Sequence, residues 1–573
     1  MRIKKNRNNK KPVLQVQAIE KPRSYQNYII ITLISLYTIL LFSKSINFEF
    51  VNYDDTYYVL ENQLIRDFSF EGLKNIFTTP VLGMYNPLPF LVYAIEHRLW
   101  GLDPKMFHFF NILFHLLGAV VLYRFIFKLT GRFETASIVA LLFAIHPMHV
   151  GVVTWVSQTK TSLYFIFYML ALTQYLKYVK EGFQIRHLIY VGLFFVLSAL
   201  SKPSAVTLAP MLFLLDYYLA RKLDRRIFIE KIPVFILAAF FGLLTLFTHS
   251  ETNDTIFNIN HNYSLINNIL ISNYSVVFYI NKLFFPLELS AIYPYPDNTA
   301  FLPFKYYFSM LVIPVILLLI YKAGNFRKEM VFGLLFFSIS VSVLIRFVPS
   351  GFFSVANRYT YLSYTGLFFI IAQYFTYQLD NKFAHAYLLK KYLFSALALF
   401  IIFISYRTTI RVSKWQNSIT LFDDVIKKSQ KVPIAYNNRA LAKLQKGDPD
   451  GAFADFSLAL KLDTSYTEAY VNRGLINYNN GKYDEALNDY NKSLKLNPAL
   501  GAAYFNRALV KMKKEDRMGT MEDLRMADSL EITQAKALIE QLTAILNASN
   551  SNADMQEDEN QTPAEYLNPA STH

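Results

Sequence analysis

The sequence predicts an all-α protein: a polytopic transmembrane helical bundle of about eleven spans, followed by an α-solenoid of tetratricopeptide repeats. Three observations predict it. Hydrophobic residues make up 53% of the 573, with 51 Phe and 40 Tyr, against only 17% charged residues. That balance fits a chain for which lipid is part of the solvent. Apolar runs near 20 residues recur, each long enough to cross ~30 Å of hydrocarbon. Beyond about residue 433 this pattern gives way to a fixed 34-residue period (470−436 and 504−470).

Residues 1–24 form a basic segment. Arg2, Lys4, Lys5, Arg7, Lys10, Lys11, Lys21 and Arg23 precede the first apolar run, with Glu20 as the one acid. The formal net charge of +15 comes from 57 Lys and Arg against 42 Asp and Glu. These charges do not form a binding stripe but cluster at the N-terminus and in short loops, such as Arg221-Lys222 and Arg225-Arg226. They read as cytoplasmic loops rather than as a nucleic-acid surface. Cysteine is absent, so no disulfide, thiolate nucleophile or cysteine-ligated metal exists.

The membrane part runs over 25–412. Spans are expected near 28–46, 106–129, 133–150, 160–179, 187–201, 204–220, 231–249, 305–322, 330–348, 360–378 and 390–407. The stretch 263–286 is also apolar, but Asn267, Asn268, Asn273, Asn281 and Lys282 interrupt it. Lipid-exposed amides are costly, so it packs inside the bundle or lies along the interface. If it does not cross, Lys322–Lys328 and Asp380–Lys391 fall on the cytoplasmic side, and the repeats lie across the membrane from the N-terminus. If it crosses, the repeats are cytoplasmic. The excess of cytoplasmic Lys and Arg favours the first arrangement, with Arg407, Arg411 and Lys414 arguing the other way. Residues 47–105 then form a large external loop, punctuated by Pro80, Pro87, Pro89 and Pro104, in which Leu88–Trp100 can graze the membrane.

The repeat part occupies 413–545. Tyr436-Asn437-Asn438-Arg439, Tyr470-Val471-Asn472-Arg473 and Tyr504-Phe505-Asn506-Arg507 align, giving units 433–466, 467–500 and 501–534. Small residues stand at helix-crossing positions (Ala440, Gly474, Ala508; Ala452, Ala486), Gly447 and Gly481 mark turns, and Pro498 ends the second unit. Trp415–Ser429 resembles half a unit and can cap the stack, since a solenoid end must hide its apolar face. Residues 546–573, rich in Asn, Ser, Asp and Glu, read as a disordered tail.

Candidate chemistry gathers on the expected external side. Asp54-Asp55 follows the first span closely. Adjacent acids in a loop are ordinarily solvated or cap a helix; just outside the bilayer, however, a carboxylate can take a proton from an acceptor hydroxyl while a lipid phosphate leaves. His146-Pro147-Met148-His149 offers two imidazoles, but Pro147 between them and the lack of a third ligand favour packing and hydrogen bonding over metal binding. Lys202, in Leu200-Ser201-Lys202-Pro203, either snorkels or meets a phosphate. Arg358, in Ala356-Asn357-Arg358-Tyr359-Thr360-Tyr361 and preceded by Arg346, suits bidentate phosphate binding or an interfacial position beside tyrosines.

These segments resemble the polytopic glycosyltransferases of the GT-C superfamily. They are most similar to the transmembrane and tetratricopeptide-repeat O-mannosyltransferases and their bacterial relatives. The likeness is carried by Val51-Asn52-Tyr53-Asp54-Asp55, Tyr85-Asn86-Pro87-Leu88, His108–His115, His146–His149, Leu200–Pro203, Tyr293-Pro294-Tyr295-Pro296 and Asn357–Leu362, with the repeats following in the same order. The resemblance implies an inverting transfer of a sugar, such as mannose, from a polyprenyl- or dolichyl-phosphate donor on the non-cytoplasmic face. It makes one acid of Asp54-Asp55 the general base and the other a holder of the acceptor. Lys202 and Arg358 then neutralise the leaving phosphate, with His146 and His149 in support. It implies no cofactor and no metal. The bacterial-type Asn-Arg-Tyr-Thr-Tyr-Leu and Lys-Pro variants point to a bacterial inner membrane with periplasmic repeats.

Two positions depart from the family pattern. Gly151 stands where a Glu commonly follows His-Pro-x-His, and Asn357 stands where an acid commonly precedes the Arg. The ladder Asn438, Asn472 and Asn506 resembles one that holds the backbone of extended peptides in another repeat-bearing glycosyltransferase, and so suits a protein acceptor of Ser/Thr hydroxyls. The expected partners are therefore a lipid-linked sugar, a protein or peptide acceptor and membrane lipids. The alternative is a non-catalytic membrane-anchored scaffold recruiting envelope proteins. A transporter would show broken spans in two matching halves, and the sequence does not.

Overall fold

The computed structural model describes residues 24–250, 263–297, 301–345, 353–380 and 386–544. The basic N-terminal segment (apart from Ser24), Arg346, part of the loop Asp380–Lys391 and the polar tail 546–573 lie outside the described residues. The chain divides into two compact units, Met1–Gln416 and Asn417–His573.

The first unit is helical throughout its long elements. They are α1 (Ser24–Phe42), α2 (Pro87–Trp100), α3 (Pro104–Thr130), α4 (Phe133–Ile145), α5 (Thr159–Lys180), α6 (Ile185–Ser201), α7 (Leu208–Tyr218), α8 (Ile232–Ser250), α9 (Leu265–Phe284), α10 (Val312–Lys322), α11 (Arg327–Ser342), α12 (Thr360–Leu379) and α13 (Ala386–Ser413). Each stretch expected to span overlaps one of these helices, with 133–150 interrupted after Ile145 and residues 346–348 outside the described residues. Among the described residues, five helical segments are long and apolar enough to cross on composition alone, and Phe133–Ile145 with Pro147–Thr154, bent by 51°, makes a sixth if the pair is one span.

The difference from eleven has a physical cause. Helices α5 and α12 are buried over most of their length among other helices. Shielded from lipid, they tolerate Lys160, Thr365 and Gln373, which lower their apolar signal. Helix α10 is the opposite case: it buries none of its residues against protein, and Leu317, Leu318 and Leu319 are all exposed. A strongly apolar helix that exposes this much of its surface has lipid as its solvent, and the chain is an integral membrane protein.

Contacts sort the helix ends of this unit into two groups. At one end, Arg132 Nη2 lies 2.5 Å from Asp380 Oδ2, and Lys180 Nζ donates to Lys128 O at 2.5 Å. Lys328 Nζ sits 5.0 Å over the Tyr218 ring, which packs on Phe332. Arg221, expected as a simple loop cation, is instead buried in a network there. It pairs with Asp216 (2.9 Å) and Glu230 (2.5 Å), while Lys231 pairs with the same two acids (2.5 and 3.1 Å). The Tyr175 hydroxyl lies between those carboxylates at 2.8 and 2.9 Å.

The other end gathers the chain after α1, the breaks after α4 and α6, and the segment leading into α12. Glu49 N–H donates to Gln416 O at 3.0 Å, so the chain leaves this unit beside the residues that follow α1. The C-terminal end of α9 joins this group through Leu283 O, and Ser290–Tyr293 follows it there. The amides of α9 are partly internal: Asn267 is buried, and Asn273 Nδ2 donates to Ser309 Oγ at 2.8 Å.

The second unit begins with α14 (Ser418–Lys428) and continues with α15 (Pro433–Gln445), α16 (Pro449–Leu462), α17 (Thr467–Asn479), α18 (Tyr483–Leu496), α19 (Gly501–Lys513) and α20 (Arg517–Ser529). Three arginines one period apart repeat a single device. Arg439, Arg473 and Arg507 each clasp an aspartate 16 residues on (Asp455, Asp489, Asp523) through two hydrogen bonds of 2.6–3.0 Å. Each also reaches 16 residues back, to Asp423, Ser457 or Asn491. Because Asp423 lies on α14, that helix occupies the place of the second helix of a preceding unit, in full register.

Candidate functional site

The site is built on the irregular chain between α4 and α5. Pro147 lacks an N–H and disfavours helical geometry at the residue before it, so α4 stops at His146 (φ −72°, ψ 133°). Trp155 is extended as well (φ −105°, ψ 114°), and α5 starts at Thr159. This second break turns the Ser157 backbone toward the loop that follows α1.

There the two adjacent acids part company. Asp55 is buried, and its carboxylate accepts from Val51 N–H (3.0 Å), Ser157 N–H (2.9 Å) and the Ser157 hydroxyl. Burial pushes its carboxyl up to about 6 even though these donors favour the ionised form. Asp54 stays 28% exposed, with Oδ2 3.8 Å from Lys160 Nζ. Asp55 is thus an anchor between two loops, and Asp54 is the acid with open access.

Lys160, in the first turn of α5, is buried, and its ammonium lies 4.1 Å over the Tyr58 ring. The next residue, Thr161, accepts a hydrogen bond from Lys202 Nζ at 3.2 Å. Lys202 lies in the break after α6. Burial drives its amine well below the usual lysine range, and the charges of Arg358 and Lys160 push the same way, which marks three basic groups in one neighbourhood. The Arg358 guanidinium lies 5.4 Å from the Trp155 ring and 4.9 Å from Phe353. Among the described residues no carboxylate pairs with it.

An aromatic stack backs this cluster. Tyr53 lies on Trp155 at 4.9 Å with 4° between the rings, and Trp155 lies on Trp415 at 5.5 Å. Trp415 also explains Gly151: a Cβ there would stand 3.1 Å from Trp415 Cζ2, in space that the ring fills. Asn357 has a similar explanation. Its Oδ1 accepts from the Tyr293 hydroxyl and its Nδ2 donates to Ser290 O, both at 2.9 Å. An ionised acid cannot make the second bond.

His146 uses both ring nitrogens: Nε2–H donates to Leu283 O at 3.0 Å, and Nδ1 accepts from Met148 N–H at 3.3 Å. His149 Nδ1–H donates to Phe143 O at 2.8 Å, and its ring packs on Tyr361 and Tyr364, just beyond Arg358. His115 Nδ1 meets the Tyr361 hydroxyl at 2.8 Å. The histidines are therefore held by these bonds and ring contacts in a packed layer.

Of the residues expected from sequence, Asp54, Asp55, Lys202, Arg358, His146 and His149 all belong to this region. Lys160, Ser157, Trp155 and Trp415 were not singled out. The one available signal for Lys160 was its isolation, since it is the only charged residue between His149 and Lys177. In the repeats, Asn438 is buried while Asn472 and Asn506 are half-buried. Asn437 Nδ2 donates to Asn438 Oδ1 (3.1 Å), and Asn472 Nδ2 donates to Asn437 Oδ1 (3.3 Å), a short amide chain along the first two units.

Residues 85–250 match the dolichyl-phosphate-mannose-protein mannosyltransferase family, and residues 467–500 match the tetratricopeptide repeat. The human protein O-mannosyl-transferase TMTC1 is 30% identical over 158 residues, covering 25% of this chain and 17% of that protein. The Caenorhabditis elegans protein O-mannosyl-transferase F38B6.6 is 22% identical over 475 residues, 78% of this chain and 65% of that one. The chain thus spans less than two thirds of either relative. The Archaeoglobus fulgidus oligosaccharyltransferase in its apo form aligns at a TM-score of 0.40 and 14% identity, over 68% of this chain and 56% of that one.

Proposed function

From the premise that the chain resembles GT-C glycosyltransferases and is related in sequence to protein O-mannosyltransferases, we propose that it is a membrane glycosyltransferase. It moves a sugar, mannose by analogy, from a polyprenyl- or dolichyl-phosphate donor to a Ser or Thr hydroxyl of a protein held by the repeats. The observation that carries this reading is the open carboxylate of Asp54 beside Lys160, Lys202 and Arg358. Asp54 takes the acceptor proton as the acceptor oxygen bonds to the anomeric carbon. The bond from that carbon to the phosphate oxygen breaks, and polyprenyl phosphate leaves as an anion stabilised by the cations. One displacement inverts the anomeric centre. Asp55 positions Asp54 by tying its loop to Ser157.

On this reading transfer takes place on the non-cytoplasmic face of a bacterial inner membrane with periplasmic repeats, and two features support the underlying arrangement in which 263–286 does not cross. The Arg132–Asp380 pair joins loops that share a side only if residues 263–286 do not cross, and the chain leaves the first unit beside Glu49, near Asp54. Residues 25–412 then act as the transferase body and 413–545 as the acceptor-holding part, with Asn438, Asn472 and Asn506 toward the peptide.

A second reading, a scaffold that binds without catalysing, draws on Gly151 and Asn357, where the family's acids are missing. One experiment separates the two. Purified protein given polyprenyl-phosphate mannose and a Ser/Thr-rich peptide should release polyprenyl phosphate, and Asp54→Asn should slow this by ~10²-fold with an unchanged melting temperature. Release at native rate by Asp54→Asn removes the base; no release from native protein with any acceptor favours the scaffold.

A further inference from the structure

Lys160 lies beside Asp54 and over the Tyr58 ring. Its distance to Asp54, 3.8 Å, exceeds the ~2.7–2.9 Å of a direct charged hydrogen bond, so the pair is loose. Its backbone neighbour Thr161 accepts from Lys202 Nζ, which brings the Lys202 ammonium, from the break after α6, to the helical turn that carries Lys160. Arg358 has no carboxylate partner among the described residues, and Asp55 is fully engaged by Val51 and Ser157. The neighbourhood therefore holds Lys160, Lys202 and Arg358 against one free acid, and an anion arriving there would favour the charged form of Lys202 as well as pair with the other two.

We propose that Lys160 is a third group for the donor phosphate, and that it trades Asp54 for that phosphate as the reaction proceeds. This rests on the transferase reading. In the displacement, Asp54 goes from anion to neutral acid as it takes the proton, while the phosphate gains the electron pair of the broken bond. Negative charge moves from base to leaving group. A cation reaching both loses its first partner as its second becomes more anionic, so its interaction strengthens toward the transition state rather than in the ground state. Tyr58 serves as the platform: its ring face holds the ammonium 4.1 Å away without consuming a hydrogen-bond donor.

The test is binding of undecaprenyl phosphate and of neutral undecaprenol to detergent-solubilised full-length protein. Lys160→Gln should weaken undecaprenyl phosphate by ~10-fold while leaving undecaprenol unchanged, and Lys160→Arg should stay within ~3-fold of native. Asp54→Asn, which removes the competing partner, should bind undecaprenyl phosphate several-fold more tightly than native protein. Native-like phosphate binding by Lys160→Gln, with loss in Lys202→Gln, overturns the role of Lys160 and leaves the donor site standing. Equal loss of both lipids in Lys160→Gln marks a purely structural lysine and also overturns it. Asp54→Asn binding no more tightly than native protein overturns the exchange. A native protein that does not distinguish undecaprenyl phosphate from undecaprenol overturns the transferase reading along with it.

Discussion

The guanidinium of Arg132 meets the carboxylate of Asp380 at 2.5 Å, across 248 positions of sequence. The pair joins the turn between α3 and α4 to the end of α12, so both lie on one side of the membrane. Near Asp54, at the opposite group of helix ends, the chain leaves the bundle. Because the protein contains no cysteine, single introduced thiols report sidedness cleanly. Leu223→Cys and Asp380→Cys should be protected from an impermeant thiol reagent added outside, while Phe70→Cys and Met518→Cys, both highly exposed positions, should react. Labelling of Met518→Cys only alongside Leu223→Cys would place the repeats with the basic loops.

Asp55 should matter for stability more than for the proton transfer itself. Its carboxylate satisfies three donors, two of them on Ser157, and Asp55→Ala leaves those groups buried without partners. A loss of several kcal/mol is expected, at ~1–3 kcal/mol per orphaned donor. Thermal melting in detergent should fall by many degrees, whereas Asp54→Asn should melt like native protein.

The raised carboxyl of Asp55 also fixes a pH dependence. Its folded value, about 6, lies above the 3.8 of an ordinary aspartate. Between these values the folded chain holds more protons than the unfolded one, so stability falls as pH rises through that window. The size is about 3 kcal/mol, from ~1.4 kcal/mol per unit. The difference in melting temperature between native protein and Asp55→Asn, followed from pH 4 to 7, should change in the native protein's disfavour. A flat difference would contradict the burial argument.

Gly151→Glu installs the acid that the family resemblance leads one to expect after His-Pro-x-His, yet it should destabilise this chain. The added Cβ meets Trp415 at 3.1 Å, and overfilling of this kind costs ~1–3 kcal/mol. Trp415→Ala opens the space, so the double variant should recover part of the loss. Additive penalties measured by melting would show that Trp415 does not occupy the acid's place.

In the repeats, Arg473→Ala should leave the carboxylate of Asp489, 2% exposed, buried without its main partner. Breaking such a pair costs ~3–5 kcal/mol, whereas Arg473→Met with Asp489→Leu should restore much of the stability. Protease resistance of residues 417–544 in the full chain, followed with temperature, measures both. Native resistance in Arg473→Ala would reduce the repeated clasp to a surface pair.

The sequence alone determined what depends on composition and period. Apolar length located the helices because ~20 apolar residues are what a bilayer demands, and the 34-residue step located the repeats because each unit must stack on its neighbours. It also brought Asp54, Asp55, Lys202 and Arg358 onto one list, since charges beside apolar runs stand out. The tertiary structure decided how neighbours in sequence divide their work. Asp54 and Asp55 are adjacent acids with the same ionisable group, and only the approach of Ser157, 102 residues away, buries one and leaves the other open. Lys160 carried no signal beyond its isolation, and its place in the site comes from the approach of Asp54 and Tyr58. Gly151 and Asn357 read as lost acids, and the Trp415 ring and the Ser290 carbonyl show what fills their places. Burial and pairing are relations between distant segments, so no local pattern of residues carries them.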